Sequence, residues 1–233
     1  MRTAKESKGK TVLKFLCRYW YNLGLIPGAI AAGVLALCWN SLDTLEKINL
    51  FSFIAIILHQ FEEYGWPGGA PAMGNQMYCS GKMPAPMQKM LGSSDKPDRY
   101  PLNQLSALVT NCAATYGFYL LPVFFPDVIW LGLAPILFGF LQFMMHGVGG
   151  NVMLKKRYNP GLAAVVLGHI PIGIWYIHYI TANGLATGFD WLIGFLYTMA
   201  FFVLVVGVLT YKVLADRNSK YPFAKEEMDR YHG

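Results

Sequence analysis

Apolar residues fill six long runs of this chain, and polar residues, glycines and prolines separate the runs from one another. The runs lie near residues 23–40, 48–64, 102–124, 128–147, 160–181 and 189–212. Most approach the roughly 20 residues that an α-helix needs to cross the hydrocarbon core of a bilayer. Backbone hydrogen bonds inside a bilayer must be satisfied within each segment, so such runs predict helices. The pattern therefore predicts an all-α, polytopic transmembrane bundle of about six spans.

The composition agrees with a membrane protein and excludes a soluble globule. Of the 233 residues, 55% are hydrophobic and 14% are charged, and the mean hydropathy is +0.35. A soluble domain of this length would need more polar surface than this chain can supply.

The basic residues are distributed unevenly along the chain. Of the 19 Lys and Arg, all but Lys47 lie before the first run, in the second and fourth connections, or at and after the end of the last run. The positive-inside rule then places both termini in the cytoplasm. The net charge of +6 is a topology signal and a contact for anionic lipid headgroups, and it does not indicate a nucleic-acid partner.

These patterns divide the chain into three parts. Residues 1–22 are a cytoplasmic amphipathic segment whose helix lies along, or rises from, the membrane interface. Residues 23–212 are the six-span membrane domain, and residues 213–233 are a cytoplasmic tail. The connection 65–101 is either a functional lid or a disordered loop. Its Met, Trp and Tyr content favours the lid, because a purely solvated loop needs no apolar side chains.

The second run ends in the stretch HQFEEYGW, which places charged side chains where hydrocarbon is the expected solvent. On a helix, Glu62 and Glu63 follow His59 by three and four residues and therefore share its face. A carboxylate in the middle of a membrane costs about 2.5–3.5 kcal/mol, so such groups usually face a bundle interior and mark a functional site.

Two further histidines reach a similar depth from other runs. His146 ends the fourth run, and His169 lies inside the fifth. Imidazole nitrogens with a carboxylate oxygen are the ligands of zinc sites and of non-haem iron sites. The sequence thus predicts a divalent metal site, with zinc as the first choice and iron as the second. Gln142, one turn before His146, is expected to orient that ring.

The two glutamates have different predicted roles. Glu63 has the closer azimuth to His59 and is assigned to the metal together with His146 and His169, whereas Glu62 is assigned as the general base. Both carboxylates thus count as catalytic. Without a metal, the same groups form a buried acid–base network or simply join the helices by hydrogen bonds.

Two asparagines are weaker candidates near the site. Asn111 faces the site or bonds a neighbouring helix. Asn151 follows the glycines at 147, 149 and 150, and it either caps a helix or contributes to the site.

The stretch HQFEE and the downstream block MMHGVGGNVMLKKRYNPGLAAVVLGH resemble the HXXEE-domain family of bacterial membrane proteins, over about residues 48–212. The resemblance implies that His59, Glu62 and Glu63 form the signature. The residues that match the second block are His146, Tyr158, Pro160, Gly161 and His169. The family has no established activity, and its motif implies a catalyst embedded in the bacterial inner (cytoplasmic) membrane, with Tyr158 near the ligands.

Three functions fit these residues. The first is a metal-dependent hydrolase of a lipid or lipid-like substrate, in which Glu62 activates water. The second is a non-haem iron oxidase or hydroxylase of a lipid. The third is a proton-coupled carrier, which ranks last because the sequence shows no inverted repeat and only one bend, at Pro171. The substrate is not identified, and assembly into a homo-oligomer is left open.

Overall fold

The protein is a bundle of helices in the computed structural model, which describes residues 2–81, 83 and 85–230 and shows no strand within those ranges. The helices are α1 (Arg2–Cys38), α2 (Thr44–Tyr64), α3 (Ala70–Cys79), α4 (Ala85–Leu91), α5 (Gln104–Phe124), α6 (Ile129–Met153), α7 (Leu162–Ala182), α8 (Gly188–Val213) and α9 (Lys225–Met228). Four of them contain π-helical stretches, at Thr115–Tyr119, Phe143–Gly150, Val165–His169 and Phe201–Val213.

Five of the described helices are long and apolar enough to cross a membrane. They are α1, over Thr11–Cys38, and the four helices α5 to α8. The predicted all-α membrane fold is thereby confirmed. Helix α2 is not one of the five, and it carries four charged side chains, which are Glu46, Lys47, Glu62 and Glu63. The count of six spans and the cytoplasmic termini remain predictions.

Helix α2 is packed among other helices. It begins with a capping box, in which Asp43 Oδ1 accepts from the Glu46 amide and Glu46 Oε2 accepts from the Asp43 amide, both at 2.8 Å. It contacts α1, α5, α6 and α7. Its apolar face joins a buried cluster with the neighbouring helices, in which the aromatic members are Phe53, Phe118, Tyr119, Phe138 and Phe201. At the polar end of α2, His59, Gln60 and Glu62 are buried.

Helix α1 runs without interruption from Arg2 to Cys38, although Pro27 lies inside it. The backbone therefore does not mark the division expected at residue 22. Apolar side chains such as Phe15, Ile26 and Ile30 are more than half exposed on its surface, as expected for a helix that faces lipid.

The connection 65–101 is folded where the structure describes it, because it contains α3 and α4. The chain after α8 holds it in place: Arg217 Nη2 donates to Leu91 O at 2.7 Å, and the Phe223 amide donates to Asp98 O at 2.7 Å. A lid function for this connection remains a prediction. Lys82 and Pro84 of the connection, Met1 of the N-terminal segment and residues 231–233 of the tail lie outside the described residues.

Candidate metal centre

His59 and Glu63 come together through the periodicity of one helix. They are four residues apart in α2, and His59 Nε2 lies 3.7 Å from Glu63 Oε2. The His59 side chain is 1% exposed, and that of Glu63 is 16% exposed. Helix geometry alone therefore supplies two candidate ligands on one face.

His146 reaches the same pair from α6. Its Nε2 lies 3.5 Å from Glu63 Oε1, and its ring centroid lies 5.0 Å from that of His59. Ligand atoms of His59, Glu63 and His146 all lie within 4.8 Å of one another. His146 belongs to the π-helical stretch Phe143–Gly150, a backbone form that is frequent at functional sites. We name these three residues the His/Glu cluster.

Asn159 determines which nitrogen of His146 carries the proton. Its Nδ2 donates to His146 O at 2.6 Å and to Asn151 Oδ1 at 2.7 Å, so its Oδ1, 2.7 Å from His146 Nδ1, is the acceptor. The proton of neutral His146 therefore lies on Nδ1, and the lone pair of Nε2 faces Glu63. Sequence reasoning missed Asn159, and its only signal was its place in the YNPG turn beside Tyr158.

Gly161 allows the chain to pass close to two of the histidines. Its φ is +101°, and a Cβ at this position would lie 2.7 Å from His146 Cε1 and 3.1 Å from His59 Cε1. Both the positive φ and the lack of room for a Cβ therefore favour glycine at this position. Gly161 belongs to the second block that the family resemblance matches.

His169 lies next to the His/Glu cluster but is not part of it. Its ring centroid is 5.3 Å from that of His59, and its side chain lies against Gly139 of α6, where a Cβ would be 3.1 Å from His169 Cβ. Like His146, it belongs to a π-helical stretch. The fourth predicted ligand is thus adjacent to the other three.

The donor set fits a metal ion. Among the described residues, His59 Nδ1, His59 Nε2 and His169 Nε2 are buried without a hydrogen-bond partner. Buried polar atoms normally have a bonding partner. A bound ion or ligand would therefore explain these unpartnered nitrogens. Ligand atoms around a tetrahedral zinc ion are roughly 3.3–3.5 Å apart. The two His–Glu distances in the cluster, 3.5 and 3.7 Å, come close to that spacing.

Glu62 points away from the cluster to the start of α7. Its Oε1 accepts from the Ala163 amide at 3.0 Å and from Tyr158 Oη at 2.8 Å, and its Oε2 accepts from the Ala164 amide at 2.7 Å. These bonds satisfy free amides at the beginning of a helix. Burial and the Glu62 carboxylate raise the pKa of Tyr158. The hydrogen bonds favour an anchoring role for Glu62, and its role as a base remains a prediction.

The other residues predicted for the site are Gln142, Asn111 and Asn151. Gln142 lines the cavity that contains the His/Glu cluster. Asn111 also lines this cavity, and its Nδ2 donates to Ala107 O at 2.8 Å and to Tyr64 Oη at 3.3 Å. Asn151 is one step removed from His146, to which Asn159 connects it. Asn111 thus makes one hydrogen bond within α5 and one to α2. Asn151 accepts a hydrogen bond from Asn159, which in turn holds the candidate ligand His146.

The fold and the cluster define a helical membrane protein with buried histidine and glutamate side chains at one end of α2. Residues 50–176 match the family described as "Protein of unknown function with HXXEE motif", and this match covers more than half of the chain. The protein belongs to this family, which confirms the resemblance seen in the sequence. No curated protein and no solved structure matches the chain.

Proposed function

We propose that this protein is a membrane-embedded, metal-dependent hydrolase that acts on a lipid or lipid-like substrate. His59, Glu63 and His146 hold a divalent ion, and His169 is the candidate fourth ligand. The proposed location is the cytoplasmic membrane of a bacterial cell, with the cluster in the cytoplasmic half of the bilayer, as the distribution of Lys and Arg predicts.

One observation supports this proposal most strongly. The hydrogen bond of Asn159 leaves a lone pair on His146 Nε2, 3.5 Å from Glu63 Oε1. A lone pair and a carboxylate repel each other at that distance, and burial makes the repulsion stronger. A cation between them converts the repulsion into attraction and also supplies a partner for His59 Nε2, one of the two unpartnered nitrogens of that ring.

The ligands narrow the choice of metal. Two histidines and one glutamate are a known catalytic zinc set that keeps one position open for substrate or water. Two histidines and one carboxylate also hold non-haem iron. Zinc remains the first proposal and iron the second, and metal analysis separates them.

The chemistry of such a site suits hydrolysis. A divalent ion supplies polarisation of a carbonyl or phosphoryl oxygen and increases the acidity of water. The chain contributes the position of each group: Asn159 keeps the proton of His146 on Nδ1, and Gly161 lets the backbone pass beside the rings of His146 and His59. The cluster opens into a cavity whose lining is mainly apolar, which suits a substrate taken from the membrane.

Metal analysis of purified protein tests the site. We expect about one equivalent of zinc or iron in the wild type and much less in the variants His59→Ala, Glu63→Ala and His146→Ala. His178→Ala is the control, because His178 is exposed on α7, away from the cluster. Equal metal in all four variants would contradict the proposal.

The reaction is tested with a total lipid extract. Metal-loaded protein should release cleaved products that mass spectrometry detects, and the chelated protein and His59→Ala should release none. If metal-loaded protein leaves the extract unchanged, the hydrolase assignment is wrong even if the metal site is real.

A further inference from the structure

We propose that the cavity beside the His/Glu cluster binds one flexible aliphatic chain, so that the substrate is a single-chain amphiphile such as a long-chain acyl compound. This inference rests on the proposed function and deepens it. The polar head would lie at the cluster and the chain would fill the rest of the cavity.

The size of the cavity fits such a molecule. Its volume is about 490 Å³, and its walls include residues of α2, α3, α4, α5, α6 and α8. Pockets for single ligands typically measure about 300–1,000 Å³. One long acyl chain is comparable in size with the ligands that such pockets hold. His59, Glu63 and His146 all border the cavity, so a bound chain would extend directly from the cluster.

Several polar groups of the lining are bonded within the protein, away from the cluster. Ser106 Oγ donates to Asn103 O at 2.9 Å, and the hydroxyl groups of Thr110 and Thr210 bond each other. Among the described residues that line the cavity, His59 alone has buried side-chain atoms without a partner. A ligand can therefore form new hydrogen bonds or metal contacts mainly at the cluster. An apolar ligand elsewhere in the cavity leaves these internal hydrogen bonds intact.

The rest of the lining is adaptable. Seven of the 11 methionines of the chain border this one cavity, at 73, 77, 83, 87, 144, 145 and 153. Methionine is unbranched and flexible, and it is common on surfaces that accept ligands of variable shape. Such walls can follow a chain that bends, and the aromatic side chains that also line the cavity can pack along it. The methionines thus favour a flexible chain over a sterol.

Photolabelling tests the chain site separately from the metal site. The probe is a long-chain fatty acid with a terminal diazirine, added to protein from which a chelator has removed metal. We expect labelled peptides from α3 and α5, and we expect an unlabelled fatty acid to compete while a sterol does not. A sterol that competes equally well would overturn the proposal.

Two glycines provide matched variants. Gly74 of α3 lines the cavity, and an added Cβ would meet only Leu102 Cδ1, at 3.8 Å, so Gly74→Phe should place a bulky ring in the cavity without a backbone clash. Gly24 of α1 has nothing within 4 Å of an added Cβ and does not line the cavity, which makes Gly24→Phe the control. We expect labelling to fall about tenfold in Gly74→Phe, equivalent to about 1.4 kcal/mol, and to stay unchanged in Gly24→Phe.

The two proposals fail in different ways. If Gly74→Phe is labelled as strongly as the wild type, the chain site is wrong, whatever the metal analysis shows. If labelling depends on Gly74 but His59→Ala retains all its metal, the metal site is wrong and the chain site stands. Gly74→Phe should bind as much metal as the wild type, which shows that its cluster is intact.

Discussion

Asn159 holds His146 through two hydrogen bonds, one to the ring at Nδ1 (2.7 Å) and one to the backbone oxygen (2.6 Å). Partners of this kind orient a histidine and fix the nitrogen that binds metal. We expect Asn159→Ala to weaken metal affinity about 10- to 100-fold, as measured by competition with a chelator of known affinity.

Substitution of Asn159 by aspartate tests whether the proton of His146 lies on Nδ1. Asn159→Asp keeps an oxygen that accepts from His146 Nδ1, although it loses the amide donor, so it should bind metal more tightly than Asn159→Ala. Asn183→Ala is the control, because Asn183 is exposed and its Nδ2 donates to Tyr179 O in the last turn of α7, away from the cluster. Equal affinity in wild type and Asn159→Ala would show that the bond does not position the ligand.

Gly161→Ala should distort the cluster. Its Cβ would lie 2.7 Å from His146 Cε1, and its φ of +101° is unfavourable for alanine. The matched change is Gly184→Ala, at φ +61° with nothing within 4 Å of the new Cβ. Left-handed backbone costs an alanine roughly 1–2 kcal/mol, so both variants should lower the melting temperature in detergent. Only Gly161→Ala should lower metal affinity, and the same loss in both variants would contradict this explanation.

The two adjacent glutamates should respond differently to the same substitution. Glu63→Gln should lower metal content, because Glu63 approaches both His59 and His146. Glu62→Gln should retain metal and lower thermal stability, because Glu62 accepts from the Ala163 and Ala164 amides.

Tyr158→Phe separates the anchoring role of Glu62 from a role as a base. It removes one of the three bonds to Glu62 and leaves the carboxylate in place. If Glu62 is an anchor, product release by Glu62→Gln should fall only in parallel with its stability, as in Tyr158→Phe. A complete loss of product in Glu62→Gln with normal stability would instead support the base that the sequence predicts.

The topology can be tested with reporters. A reporter inserted at Ser93 and another fused after residue 233 should both be active only if they work in the cytoplasm. Arg217 Nη2 donates to Leu91 O and Ser93 O, so the two sites should lie on one side of the membrane. An active periplasmic reporter at either site would overturn the six-span topology.

The sequence by itself determined the class of protein and two of the three members of the His/Glu cluster. Long apolar runs are a local property, and they suffice for an all-α membrane fold. The approach of Glu63 to His59 is local as well, since residues four apart share a helix face. The stretch HQFEE and the downstream block MMHGVGGNVMLKKRYNPGLAAVVLGH together indicated the family, which the match over residues 50–176 confirms.

Only the tertiary structure decided which distant groups meet this pair and how each is held. His146 approaches Glu63, whereas His169 stays beside His59, because the rotation and depth of each helix depend on packing against its neighbours. Asn159 and Glu62 show the same dependence, since Asn159 is bonded to α6 and Glu62 to the start of α7. Periodicity places Glu62 near the face of His59, but the free amides at the start of α7 draw its carboxylate away, and no pattern within α2 records where those amides lie.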